Sequence, residues 1–79
     1  MVNGPTINAA QVRAARGWLG WSQDELARRS GISQRSVARF ELDLSRPYDS
    51  TLKQMRRAFE EQGICFEFDG LVGKGVRVR

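Results

Sequence analysis

Between Gln23 and Leu42 two short amphipathic stretches meet at a single glycine, and this corner limits the folds open to the chain more than any other feature. Leu26, Ile32, Val37 and Phe40 are its apolar positions, Ala27 is a small residue where one helix has to cross the other closely, and Gly31 stands where a helix ends in the left-handed conformation. These signals are independent of one another and agree.

The rest of the pattern extends the corner on both sides. Residues 1–7, with Gly4 and Pro5, read as a loose lead-in, and Thr6 or Asn8 can cap a first helix that runs to about Leu19. Its inward positions by three and four spacing are Val12, Ala15, Arg16 and Leu19, and Gly20 ends it ahead of Trp21. Ser22 with Glu25 spells a capping box for the second helix, whose first turn also carries Asp24 where the helix dipole favours acids. Ser33 is placed to cap a third helix from Gln34 to about Leu42. At about 100° per residue Ser33, Val37, Phe40 and Glu41 share one face of it, with Arg35, Arg39 and Leu42 almost opposite. A polar loop with Pro47 leads to a fourth helix from Ser50 to Gln62, with Leu52, Met55 and Phe59 inward and Gly63 as its stop.

Past Gly63 the period changes to two. Ile64, Phe66 and Phe68 alternate with Cys65 and Glu67, and after a turn-forming stretch from Asp69-Gly70 to Gly73-Lys74-Gly75, Val76 and Val78 alternate with Arg77 and Arg79. This predicts a hairpin over residues 64–79. A lone hairpin is marginal in water, so its apolar face has to cover the helices or a second subunit. Ile64, Phe66, Phe68, Val76 and Val78 are accordingly the expected dimer contact.

Composition narrows the possible functions. The chain has 79 residues, enough for one domain, 1–79, and a domain this small buries only about 60% of the surface its unfolded form exposes, which makes pairing with another copy attractive. Lys and Arg number 13 against 9 Asp and Glu, a net +4, and nearly all the cations are arginine, which forks onto phosphates and base edges. With one cysteine and no histidine, neither a metal site nor histidine-based catalysis is expected, and no cofactor is. No nucleophile–base pair or phosphate-cradling loop points to an enzyme. The chain lacks a signal-peptide pattern and any run of roughly 18 apolar residues, so no membrane association is expected and a cytoplasmic location is.

Three segments, RAARGWLGWSQDELARRSGIS, QRSVARFE and RPYDSTLKQMRRAFEEQGI, make most of the chain similar to the Cro/C1-type (XRE family) helix-turn-helix regulators. The resemblance implies a mainly α, compact four-helix repressor-like domain, here with a C-terminal β-hairpin. It also implies binding to double-stranded DNA, usually as a homodimer, and regulation of transcription, with repression as the expected sense. The chain departs from the family at Leu42-Asp43, where a small or amide residue followed by glycine is common, and at Ser30, where an apolar residue is. An exposed Leu42 hints at a protein contact.

A helix fits the major groove, and side chains at its start reach furthest in. Glutamine can bond an adenine edge twice and arginine a guanine edge twice, which makes Gln34 and Arg35 the expected base readers, with Arg39 one turn on; the resemblance implies the same positions. Gln23, at the start of the second helix where free amides suit a phosphate, is an expected phosphate contact, as are Ser33, Ser36 and Arg46. The alternative is that these residues only solvate helix and loop surfaces, with Ser33 acting as a cap.

Arg16 and Glu41 fall on faces that otherwise read as core, and buried charge is costly unless paired, so they are expected to form an ion pair. The resemblance supports it. Trp18 and Trp21 are expected to pack rather than to stack on bases. Two rival readings share this framework: an antitoxin that binds its operator and a toxin partner, and a protein-interaction module without DNA binding.

Overall fold

The computed structural model describes residues 4–79. In chain order the elements are α1 (Ala9–Leu19), α2 (Gln23–Ser30), α3 (Gln34–Glu41), α4 (Asp49–Glu60), β1 (Ile64–Asp69) and β2 (Val72–Val78). The lead-in differs from the loose segment expected. Ile7 is buried in the core, because its side chain packs under the helices before the chain turns at Asn8; residues 1–3 lie outside the described residues.

Local chemistry explains most helix ends. Asn8 caps α1 with a complete capping box: its side chain accepts from the Gln11 N–H while Gln11 Oε1 accepts from the Asn8 N–H. Ser22 caps α2 by accepting from the Glu25 N–H at 3.0 Å, but the return bond expected of a box is absent. Glu25 turns outward to Arg28 and Arg29 on the same helix face, where charge pairing competes with the box. Gly20 and Gly31, at φ 70° and 75°, supply the left-handed stops of α1 and α2. The α3 helix ends at Glu41, one residue before the position expected, and α4 occupies Asp49–Glu60 rather than 50–62.

At Leu42-Asp43 the chain makes a left-handed cap without glycine. Asp43 takes φ 58°, its N–H donates to the Phe40 carbonyl at 3.0 Å, and the Leu44 N–H donates to the Arg39 carbonyl at 2.9 Å. The left-handed turn that glycine would make freely is thus made by Asp43, at the expense of strain in a residue with a Cβ.

The core joins Val12 and Ala15 of α1, Leu26 of α2, Val37 and Phe40 of α3, Met55 and Phe59 of α4, and Ile64 and Phe66 of β1. Phe59 is its centre, with Trp21 stacked on it at 5.4 Å and Phe66 edge-on at 5.8 Å. Trp21 thus packs as expected. Trp18 does not: it is 66% exposed on the outer side of α1. Ser30 is buried, and its hydroxyl is satisfied by donating to the Leu26 carbonyl at 2.6 Å.

The hairpin differs most from expectation. Its strands are antiparallel, pairing Ile64 with Val78 and Phe66 with Val76, and its turn is only Gly70-Leu71. The Gly73-Lys74-Gly75 stretch is strand rather than turn, with a register shift opposite Glu67–Phe68 that skips Lys74. The reason lies in α1. Gln11 is buried and its amide donates to the Glu67 carbonyl at 2.8 Å and the Gly75 carbonyl at 2.9 Å, while Asn8 Nδ2 donates to the Gly73 carbonyl at 3.0 Å. A Cβ on Gly73 would overlap the Gln11 amide, so only glycine lets the strand approach.

This docking also corrects the expected dimer contact. Ile64 and Phe66 are buried in the chain's own core, and Phe68 and Val76 pack partly against it, so of the five residues named for that contact only Val78 offers much surface.

Candidate nucleic-acid interface

Gly31 sets the site. Its N–H and that of Ile32 both donate to the Ala27 carbonyl, at 3.0 and 3.2 Å, which closes α2 and sends the chain into α3 through an open corner. Ser33 then caps α3, accepting from the Ser36 N–H at 3.1 Å and donating from its hydroxyl to Ser36 Oγ at 2.9 Å. Val37, Phe40 and Glu41 face inward, while Gln34, Arg35, Ser36 and Arg39 are exposed. Among the described residues neither Gln34 nor Arg35 spends its side chain on a hydrogen bond or ion pair; Arg39 makes one long contact, 3.4 Å, to the Leu44 carbonyl.

Charge is distributed unevenly. Arg28 and Arg29 are neutralised by Asp24 and Glu25, Arg56 by Glu60 and Arg77 by Glu67. Among the described residues Arg35, Arg39 and Arg46 have no acidic partner, as is also true of Lys53, Arg57 and Lys74 elsewhere, so α3 and the loop after it carry three unneutralised cations within one short stretch of chain.

Behind this surface lies a fork. Arg16 Nε donates to Glu41 Oε2 at 2.6 Å and Nη2 to Oε1 at 2.7 Å, and a further donor, Nη1, holds the Trp21 carbonyl at 2.8 Å. Arg13 donates to the Glu41 backbone carbonyl. Gln23 joins the same carboxylate, its amide donating to Oε1 at 3.1 Å. The donor expected to reach outward to a phosphate is therefore turned inward, because the buried Glu41 carboxylate is the stronger acceptor within reach.

Arg46 is exposed and lines one open cleft with Ser36, Ser45, Tyr48 and Thr51. The last three were missed in the sequence. Their signal was the hydroxyl-rich run around Pro47, which a helix start placed at Ser50 hid. Tyr48 is in fact the residue before α4, and its side chain makes no capping bond, leaving the hydroxyl free.

Residues 12–62 match the profile of the helix-turn-helix family. The chain belongs to the Cro/C1-type (XRE) helix-turn-helix family. No curated protein matches it at a significant level. The matched region of this helix-turn-helix protein runs from within α1 past the end of α4, so the hairpin lies outside it. The family is one of DNA-binding transcription regulators and is not typically enzymatic. Among the described residues, no helix of this family member is long and apolar enough to cross a membrane.

Proposed function

We propose that this protein is a sequence-specific repressor that binds double-stranded DNA as a homodimer, one α3 helix per subunit entering the major groove. The observation that carries the reading is the exposed and unengaged start of α3, with Gln34 and Arg35 on the outward face and the core residues Val37 and Phe40 behind them. Gln34 and Arg35 read base edges, with Arg39 as a third reader. Ser36 and Arg46 hold phosphates from the cleft beside α3, together with Tyr48 and Thr51, and the amide start of α2 at Gln23 holds a phosphate on the other flank. Ser33 contributes chiefly by fixing the start of α3 and thereby the direction in which Gln34 and Arg35 leave it.

Selection of bound sequences from a random duplex pool tests this. The expected result is a palindrome whose half-sites lie about one helical turn, roughly 34 Å, apart. Recovery of no preferred sequence at any salt concentration would remove the reading.

A further inference from the structure

We propose that the outward face of α1 is the contact between two copies of this chain, with Trp18 of each copy seated in a groove between α1 and β2 of the other. The inference deepens the homodimer reading above and rests on it.

Trp18 is 66% exposed, an unusual position for the largest apolar side chain on a helix whose opposite face is fully packed. Its neighbours on the outward side, Ala10, Ala14 and Gly17, are small and exposed, so a second helix can come close. Arg13 borders this face, but its guanidinium is turned aside to the Glu41 carbonyl. The Arg16–Glu41 fork and Val12 occupy the opposite side of α1, which keeps the proposed contact clear of α3.

Near the start of α1, Asn8, Ala10, Gln11 and Ala14 form an open groove with Gly73, Lys74 and Gly75. Gly75 leaves open space on its side of the groove, the space over Gly73 is filled by the Gln11 and Asn8 amides, and the polar groups of those amides are already satisfied by their bonds to the hairpin. An apolar ring can enter without stranding a donor.

Spacing makes the fit reciprocal. Trp18 and Ala10 stand four positions on either side of Ala14. An antiparallel two-fold through Ala14 therefore brings each Trp18 onto the partner's Ala10 and its groove at the same time, as a self-complementary contact requires. Leu71 and Val72, each 66% exposed, directly precede Gly73 in the chain and are apolar surface available to a partner. Trp18, these two residues and the small side chains offer roughly 500 Å² per copy, which brings the total to the roughly 1,000 Å² that a specific interface needs.

Sedimentation velocity of the full chain over a concentration series is the test. Trp18→Ala should weaken the dimer by roughly 10-fold or more, the usual effect of truncating an interface tryptophan, while melting at concentrations low enough to keep both proteins monomeric stays unchanged because Trp18 lies outside the core. Ala14→Arg, at an exposed position, should dissociate it likewise. Ala14→Cys in a Cys65→Ser background should form a disulfide-linked dimer under mild oxidation, because the two-fold brings these positions together. A dimer that survives both Trp18→Ala and Ala14→Arg and shows no Ala14→Cys cross-link overturns this surface and leaves the homodimer reading standing. A wild-type chain that is monomeric both free and on duplex DNA overturns both.

Discussion

Arg16 and Glu41 meet in a two-pronged ion pair, with oxygen–nitrogen distances of 2.6 and 2.7 Å, and Gln23 adds a third bond to the same carboxylate. One acidic side chain thus ties α1, α2 and α3 together directly behind the surface that reads DNA in the proposed function.

Arg16→Met should destabilise the fold by about 3–5 kcal/mol, because it leaves a carboxylate that is 3% exposed without its partner. The double replacement Arg16→Met with Glu41→Leu should cost much less, since it removes the stranded charge as well. Urea unfolding of the three proteins measures both.

Acid should unfold the protein through the same pair. Burial pushes the Glu41 carboxyl up and is the largest single influence, but the hydrogen bonds from Arg16 and Gln23, with the charges of Arg16 and Arg13, together outweigh it and hold the group below its ordinary range. Glu25 is also held low, chiefly by the Arg29 hydrogen bond. A carboxyl group whose pKa falls on folding adds stability above its unfolded pKa, about 4.3, and loses it as pH drops through the folded value. Stability should therefore decline below about pH 4.3, and Glu41→Gln should make that decline shallower in thermal melts between pH 7 and 2.5.

Gly73→Ala should cost about 1–3 kcal/mol, because the added methyl collides with the Gln11 amide and pushes the hairpin off α1. Gly75→Ala, where a Cβ meets nothing within 4 Å, is the control and should change little. Equal melting losses for the two would sink the account of Gly73.

Asp43→Gly should stabilise the chain by about 1 kcal/mol, because φ 58° is strained for a residue with a Cβ and free for glycine. For a domain of this size that corresponds to a rise in melting temperature of roughly 4–8 °C.

On DNA, Arg35→Ala should lose about 1–3 kcal/mol at the preferred site and relax the sequence preference, whereas Gln23→Ala, which keeps the backbone amide at the start of α2 and removes a side chain turned toward Glu41, should weaken all sequences only slightly and about equally. Gln23→Ala should also lower the melting temperature, because it deletes the bond to Glu41. Binding titrations on specific and random duplexes at several salt concentrations separate these cases; equal losses on both for Arg35→Ala would demote it to a phosphate contact.

The helices were legible in the sequence because their signals act within a few residues. Ser22, Gly31, Ser33 and Gly63 mark ends by bonds and backbone angles that their immediate neighbours complete, and the period of Leu26, Val37 and Phe40 shows the buried side. The Arg16–Glu41 pair was legible for a related reason: two opposite charges on faces that read as core have few other ways to be buried. The half-formed box at Glu25 and the inward turn of Gln23 were not, because each side chain had a second partner that only the assembled helices bring within reach.

What the amino-acid order determined by itself is the list of elements, the apolar face of each and the open corner at Gly31, since hydrogen bonding and periodicity over one or two turns settle these. Only the tertiary structure decided which apolar surfaces consume one another. Gln11 and Asn8 reach hairpin carbonyls more than fifty positions away, and this draws Ile64 and Phe66 into the chain's own core and leaves Trp18 facing out. Such choices depend on competition among distant partners for the same surface, and no local pattern records its outcome.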